Sequence, residues 1–269
     1  MKRHRFIFLL ILFNLNLCFA WGQTGHRVVG KIAENHLTPA AKKEIYSITH
    51  GVSLAELSTW LDDIKSDSDY KKYTSWHYIE IPDVTSYDGS NKNPKGDLIS
   101  GISFAVDALK HKGKNDIESI AILVHLMGDL HQPLHVGNGI DRGANGCMVN
   151  WFGKNKRVSL HRVWDSYLIN SRGLSYTEMA QFIDNIGDDE VSEIQKNTPL
   201  EWAIESRKLH DNMYPDSLDH NWHSYCDASS GHKVPTLSYK YIYNSKKLVN
   251  ERLLKAGVRL AGILNSIYS

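Results

Sequence analysis

The segment DIESIAILVHLMGDLHQ, residues 116–132, places the strongest constraint on the fold. Its apolar residues cover nearly every side of a helix, and Pro133 follows directly, so we predict a buried helix that ends before the proline. His125 and Asp129 lie four residues apart in it and therefore project from one face. Burying an imidazole and a carboxylate costs free energy unless something pairs with them, and a metal ion is the economical partner. His131 points elsewhere on this helix, and we interpret it as a polar or supporting residue rather than as a ligand.

Most other segments also show helical periodicity, which predicts a mainly α protein. Thr24 is the candidate N-cap of the first helix, and Thr38 with Pro39 begins a second helix that runs to about Ile48. Further helices are predicted over residues 98–112, 198–214 and 243–268.

Strand character is confined mainly to residues 147–161, where two short runs flank a Gly-Lys-Asn-Lys turn. This pattern predicts one small β-hairpin. Residues 78–97 are rich in turn-forming types and predict a surface loop. Because no internal repeat or Pro/Ser-rich linker stands out, we expect a single domain.

The first twenty residues form a separate segment. Lys2, Arg3 and Arg5 precede an apolar run over 6–13. Small residues, Cys18 and Ala20, lie three positions and one position before residue 21. This pattern predicts a secretory signal peptide over 1–20, cleaved after Ala20, and an exported protein that is periplasmic or extracellular. The apolar run is too short for a bilayer, and no other stretch approaches that length, so we expect no membrane anchor.

Cleavage would remove three basic residues from a chain of formal charge +1 and leave a mature charge of −2. No basic stripe compensates elsewhere, which excludes a general Lys/Arg field as the means of binding nucleic acid. Two cysteines would remain, Cys147 and Cys226, and either one disulfide or two free thiols is compatible with the sequence.

The fourteen histidines raise the question of whether they cluster with carboxylates at ligand spacing. His135 follows Pro133 closely enough to reach the region of His125, and His161 with Asp165 forms a second pair four residues apart. Asp62 and His77 supply a third candidate group. Imidazole and carboxylate ligands without a thiolate are typical of zinc in a hydrolytic site.

These residues, in this order and with Trp21 and His26 before them, resemble the zinc-dependent single-strand nucleases, the type I nuclease/3′-nucleotidase family. The similarity extends from Trp21 through Asp165 and continues more weakly in the C-terminal helix. It implies a mainly α, single domain over 21–269 of the phospholipase C/nuclease type. It also implies three zinc ions in each chain.

The resemblance further implies which residues bind each ion. One zinc would be held by four side chains, Asp62, His77, His125 and Asp129. A second would be held by three, His135, His161 and Asp165. The third would take the α-amino nitrogen and carbonyl oxygen of Trp21, the ring of His26 and a bridging carboxylate from Asp129.

Catalytic roles follow from the same resemblance. Two zinc ions sharing Asp129 can lower the pKa of a bridging water, and the resulting hydroxide would attack phosphorus. Asp62, Asp129 and Lys65 are the expected catalytic residues, and Lys65 stands where many relatives carry an arginine beside the scissile phosphate. A lysine keeps the charge but lacks the bidentate fork of an arginine.

Four residues are expected to bind substrate. Besides Lys65, Tyr78 lies where the family places an aromatic ring that stacks on a base, and Glu80 where an aspartate often contacts it. Asn145 matches the asparagine of a Gly-Gly-Asn segment in which Ala144 replaces the second glycine.

The function expected from the sequence is a secreted phosphodiesterase, acting as a monomer. It would cleave single-stranded DNA and RNA to 5′-phosphorylated products and also act as a 3′-nucleotidase. A zinc-dependent phospholipase C-like enzyme is the alternative within enzymes, although its matching helix pair characteristically ends in glutamate where this chain has Asp165. A non-catalytic zinc-binding protein is the alternative outside enzymes, and it would have a closed metal site.

Overall fold

A computed structural model of the chain describes residues 21–84, 93–111, 116–153, 157–215, 226 and 233–269. The predicted leader, part of the predicted loop and the centre of the hairpin turn lie outside the described residues. The described part is mainly helical with small sheets, which confirms the predicted fold class. The longer α-helices are α1 (Gln23–Asn35), α2 (Pro39–Ile48), α5 (Leu98–His111), α6 (Ile117–His131), α11 (Pro199–His210) and α12 (Tyr239–Tyr268). The shorter ones are α3 (Leu54–Leu57), α4 (Trp60–Asp63), α7 (Leu160–Arg162), α8 (Leu168–Asn170), α9 (Tyr176–Ile183) and α10 (Asp188–Ile194).

Helix α6 forms the centre of the core, as its sequence predicts. Every residue from Ser119 to His131 is buried, and α1, α5, α11 and α12 all pack against the helix. The side chain of Asp116 caps its first turn by accepting from the Ser119 amide, and the helix ends two residues before Pro133. A helix that is apolar on all sides is stable only when neighbouring helices surround it in this way.

Helix α1 begins two residues earlier than the sequence predicts, so the assignment of Thr24 as its N-cap is wrong. The N-cap is Gly22, which makes no side-chain capping bond. The Gly22 amide instead donates to the Asp165 carbonyl oxygen at 2.6 Å. A Cβ at position 22 would lie 2.5 Å from Ser166 Oγ, so this close packing, rather than capping, sets where the helix begins.

The predicted hairpin is present as antiparallel strands β3 (Met148–Trp151) and β4 (Arg157–Ser159). Strand β5 (Thr236–Leu237) adds to β3 in parallel, a pairing that the sequence does not predict. Two further short strands, β1 (Ile79–Glu80) and β2 (Val136–Gly137), pair in parallel. Because β1 begins two residues after His77 and β2 directly follows His135, this pairing brings two candidate ligands together.

Cys147 and Cys226 form a disulfide, which decides between the two alternatives that the sequence leaves open. Within the described ranges, none of the helices is both long enough and apolar enough to cross a membrane.

Candidate metal centre

Eight side chains predicted as metal ligands converge in the interior, where each is at most 7% exposed. They are His26, Asp62, His77, His125, Asp129, His135, His161 and Asp165. Their ligand atoms form three groups in which all members lie within 4.8 Å of one another. The structure thus brings together side chains that span about half of the chain, and groups of this composition can hold metal ions.

The first group contains His26, His125 and Asp129. His26 extends from the first turn of α1, and its ring stacks on the His125 ring at a centroid distance of 3.9 Å. The His26 Nε2 atom lies 3.3 Å from Asp129 Oδ1, and His125 Nε2 lies 3.4 Å from Asp129 Oδ2. Gly128 makes this approach possible, because a Cβ there would lie 2.7 Å from His26 Nδ1.

The second group contains Asp62, His77 and His125. His125 Nε2 lies 3.7 Å from Asp62 Oδ1 and 3.1 Å from His77 Nδ1. His77 Nδ1 also lies 3.0 Å from Asp129 Oδ2. The carboxylate of Asp129 therefore contacts three histidines, as expected of a carboxylate that bridges two metal ions.

The third group contains His135, His161 and Asp165. His135 Nε2 lies 3.6 Å and His161 Nε2 lies 3.3 Å from the Asp165 carboxylate. Residues 163–167 form a π-helical turn, and such turns are frequent at functional sites. The Gln132 side-chain amide donates to Asp165 Oδ1 at 2.6 Å and fixes the orientation of the carboxylate.

Backbone carbonyls determine which ring nitrogen of three histidines faces the cluster. The Nδ1 atoms of His125, His135 and His161 lie 2.6 to 2.7 Å from the carbonyl oxygens of Ser58, His77 and Gly143, respectively. Since a carbonyl only accepts, each Nδ1 carries the hydrogen, and each Nε2 presents a lone pair to the cluster. This is the arrangement usual for metal-bound histidines.

The contacts between these rings fit bound cations. His135 Nε2 and His161 Nε2 lie 3.1 Å apart, as do His125 Nε2 and His77 Nδ1. In neutral rings with hydrogen on Nδ1, the two Nε2 lone pairs of the first contact would repel each other. In addition, both nitrogens of His26 and one oxygen of Asp129 are buried without a hydrogen-bond partner. Metal ions coordinated by these atoms would remove both costs.

The pKa values of the cluster histidines are also consistent with bound cations. Burial lowers the pKa of His26 and His77 to about 4 and that of His161 to about 3, so these rings are neutral and able to bind a metal at pH 7. In contrast, the charges of Asp129 and Asp165 overcome burial and raise the pKa of His135 to about 9. The carboxylates of Asp129 and Asp165 therefore stabilise a positive charge at His135, and either a proton or a metal ion can supply that charge.

Trp21 lies beside the cluster and is fully buried. The bond from the Gly22 amide to the Asp165 carbonyl places the preceding residue, Trp21, next to the third group. A Cβ at position 128 would also lie 3.7 Å from the Trp21 ring, so Trp21 and His26 pack against the same face of α6. The start of the proposed mature chain is therefore part of the core.

The predicted substrate residues lie in different environments. Lys65 contacts the Asp62 carboxylate as an ion pair. Tyr78 is 44% exposed and directly follows a cluster residue. Glu80 is half-buried, burial raises its pKa, and its carboxylate accepts from the Gly139 amide at 2.7 Å. The Asn145 side chain donates to the Arg142 carbonyl oxygen, while Ala144 has a φ of +60°, a conformation that favours the glycine expected there.

Several groups that orient the cluster residues are not predicted from the sequence. Gln132 and the carbonyls of Ser58 and Gly143 orient the cluster residues, yet backbone carbonyls leave no sequence signal. Gln132 offered one weak signal, a polar side chain between a buried helix and a proline. His131 belongs to none of the three groups, and its ring lies against the Met127 carbonyl and Arg259.

The fold is mainly helical and encloses three buried His/Asp groups that can each hold a metal ion. These features define the class of multinuclear metalloproteins. The sequence matches the S1/P1 nuclease family over residues 21–269, and the chain belongs to that family, as the ligand pattern predicted. Its relatives include Endonuclease 3 of Arabidopsis thaliana, 30% identical over 97% of this chain and 94% of the relative. Nuclease P1 of Penicillium citrinum is 26% identical over 92% of this chain and 98% of the relative. The family consists of nucleases, enzymes that act on the phosphodiester bonds of nucleic acids.

Proposed function

We propose that the chain is an exported, trinuclear zinc phosphodiesterase that hydrolyses single-stranded DNA and RNA to 5′-phosphorylated products and has 3′-nucleotidase activity. Residues 1–20 would be the cleaved leader, and 21–269 the nuclease domain. The observation that carries this proposal is the presence of three buried His/Asp groups in a chain of the S1/P1 nuclease family.

The proposed ligand sets follow the sequence prediction. Asp62, His77, His125 and Asp129 would hold one zinc, and His135, His161 and Asp165 a second. Trp21, His26 and Asp129 would hold the third. Zinc at these positions would supply positive charge to the phosphate and acidify water for attack on phosphorus. The donor set of imidazole and carboxylate, with ring orientations fixed by carbonyls, supports zinc as the metal.

The chain's own residues would bind and orient the substrate. The ammonium group of Lys65, which contacts the Asp62 carboxylate, would bind a phosphate oxygen at the edge of the cluster. The exposed ring of Tyr78 offers a face for base stacking, which tolerates any base. Glu80 would contact the base and Asn145 would also bind substrate. Because these side chains now hydrogen-bond to Gly139 and Arg142, each would have to share or exchange a partner. The buried ligands themselves keep bulk water out of the cluster.

Signal cleavage would contribute to the site. A free α-amine has a pKa near 8, so it can lose its proton and bind zinc close to neutral pH. Cleavage after Ala20 would create that amine on Trp21, whose side chain is already buried beside the cluster. This gives a reason for a mature chain that begins with a large aromatic residue.

A substrate panel tests the proposed function. The purified mature protein should cleave single-stranded DNA and RNA faster than duplex DNA and should release phosphate from a 3′-mononucleotide. A chelator should abolish both activities, and added zinc should restore them. Hydrolysis of phosphatidylcholine without cleavage of nucleic acid would instead establish the phospholipase alternative. Zinc binding without any hydrolysis would establish the non-catalytic one.

A further inference from the structure

A buried histidine outside the cluster contacts the turn that carries His135. His210 lies at the end of α11 and is fully buried. Its Nδ1 atom lies 3.0 Å from the Val136 carbonyl oxygen and 3.3 Å from the Pro133 carbonyl oxygen. Since both partners only accept, Nδ1 carries the hydrogen and binds the backbone on both sides of His135.

The other nitrogen of His210 contacts the loop that follows this turn. Its Nε2 atom lies 3.3 Å from Asn138 Nδ2. The orientation of the Asn138 amide is set by its oxygen, which accepts from the amides of Ile140 and Asp141. The Asn138 nitrogen therefore faces His210 and donates to Nε2, which is free to accept because Nδ1 holds the hydrogen.

Tyr214 completes this network. Its hydroxyl lies 3.1 Å from His210 Nε2 and donates to the buried Asp141 carboxylate. Burial and the Asp141 charge raise the pKa of Tyr214, so the hydroxyl keeps its proton. His210, Asn138, Asp141 and Tyr214, which we call the His210 network, thus join α11 to the loop over 137–147.

The same loop orients a second cluster residue. Gly143, within it, accepts from His161 Nδ1 through its carbonyl oxygen at 2.6 Å. Gly143 has a φ of +61°, and a Cβ there would lie 2.1 Å from the Leu134 carbonyl oxygen, so the loop packs directly on the turn that carries His135. The turn and the loop therefore form one unit, and the His210 network contacts both parts of it.

We infer that His210 is a positioning residue for the third metal group: through Val136, Asn138 and Asp141 it fixes the turn that presents His135 and the loop that orients His161. This inference rests on the proposed function, because it concerns retention of the zinc ion assigned to His135, His161 and Asp165. His210 itself contacts none of these three side chains by hydrogen bond or ion pair in the described structure. Its effect is therefore on ligand geometry.

Two substitutions at position 210 test the inference. His210→Leu removes both ring nitrogens, whereas His210→Asn keeps a side-chain N–H that can donate to the Val136 carbonyl. The readouts are zinc content by elemental analysis and zinc release to a chelator. Loss of a group that orients metal ligands typically weakens metal binding by about 10–100-fold. We expect that loss for one zinc ion in His210→Leu and a smaller loss in His210→Asn, which keeps the bond to Val136 but loses the Nε2 contacts with Asn138 and Tyr214.

His36→Leu is the matched control, because it removes a histidine that binds Asp184, a residue outside the three groups. It should retain all zinc at the wild-type affinity. If His210→Leu does not fold, Tyr214→Phe carries the test, since it removes only the hydroxyl that donates to Asp141 and should speed the release of one zinc ion.

Equal zinc retention in wild type, His210→Leu and Tyr214→Phe would overturn the inference and leave the proposed function intact. Equal zinc loss in His36→Leu would also overturn it, because the effect would then be a general loss of stability. A wild-type protein without zinc would overturn both the inference and the proposed function.

Discussion

At the scale of single residues, Asp129 is the carboxylate that contacts the most histidines of the cluster. Its two oxygens lie within 3.4 Å of nitrogens of His26, His77 and His125. Despite burial, the neighbouring histidines hold the pKa of Asp129 well below its usual range, so it is a carboxylate. We therefore expect it to be the residue whose charge matters most to metal binding.

Asp129→Asn should cost more activity than Lys65→Ala. The amide has the same shape but no charge, and it would affect two metal ions, whereas Lys65 contacts only the edge of the cluster. Losing one transition-state donor typically costs roughly 10²–10³-fold in rate. We expect Asp129→Asn to exceed that loss in kcat/KM on single-stranded DNA, and Lys65→Ala to stay within it. Comparable losses in the two variants would contradict the bridging role.

Gly128→Ala tests the packing of His26. Alanine in a helix interior is favoured over glycine by about 1 kcal/mol, so helix propensity alone predicts a more stable protein. Here, the new Cβ would lie 2.7 Å from His26 Nδ1 and would displace the ring. We expect a lower zinc content and at least a roughly tenfold loss of activity, with unchanged helix content by circular dichroism.

Gly262→Ala provides the control for this prediction. It places alanine in α12, where the three atoms nearest to the new Cβ all belong to the flexible side chain of Gln195. Zinc content should be unchanged. If Gly128→Ala kept its zinc as well, the close approach of His26 to α6 would not matter for metal binding.

At the scale of secondary-structure elements, buried charges join α12 and α11 to the end of α6. Glu205 accepts hydrogen bonds from Arg252, Lys255 and Arg259 at 2.6 to 2.7 Å. The fully buried Arg252 also donates to the His131 carbonyl oxygen at 3.1 Å. The C-terminal helix thus supports the part of α6 that carries Asp129.

The pH dependence of stability should report this network. Burial opposes it, but Arg252, Lys255 and Arg259 lower the pKa of Glu205 to about 2, below its usual 4.5. A lowered pKa means that the stabilising contribution is present above pH 4.5 and is lost as the pH falls from 4.5 toward 2. Glu205→Gln should lower the free energy of unfolding at pH 7 by about 1–3 kcal/mol and flatten its decline over that range.

Urea unfolding at several pH values measures this effect. Glu44→Gln, which removes an exposed carboxylate of α2, should leave the pH dependence as in wild type. An unchanged slope in Glu205→Gln would mean that the network does not stabilise the docking of α12.

The elements also show what the sequence could and could not predict. The pairs His125/Asp129 and His161/Asp165 could be predicted from their four-residue spacing. Helix α6 could be predicted because apolar residues cover nearly every side of it. The start of α1 could not be predicted from local sequence, because it depends on the contact of Gly22 with Asp165, 143 positions away. The pairing of β1 with β2 and the contacts of His210 are also non-local, since their partners are distant carbonyls and amides that carry no sequence pattern.

At the scale of the whole molecule, the proposed leader links export to the completion of the site. A protein that keeps one residue before Trp21 should lose the third zinc and most of its activity, because the α-amine would be replaced by a peptide nitrogen. A protein with a removable extension provides the comparison, since cutting it to expose Trp21 should restore both. Full activity with the extension intact would show that the amine of Trp21 is not a ligand.

The net charge of the molecule also indicates that metal ions, rather than basic residues, would attract the phosphate groups of the substrate. The proposed mature chain would have a formal charge of −2 and no excess of basic residues to attract a polyanion. In the proposed enzyme, the zinc ions would supply the positive charge for phosphate within the buried cluster. Removing them should therefore weaken substrate binding as well as catalysis, which equilibrium binding of a short single-stranded DNA to the chelated protein would measure.

The zinc content of the exported, active protein tests the central claim most directly. Elemental analysis of protein purified without chelator, with its first residue identified by N-terminal sequencing, should give close to three zinc ions per chain that begins at Trp21. One zinc ion or none in a protein that cleaves single-stranded DNA at its full rate would contradict the trinuclear site.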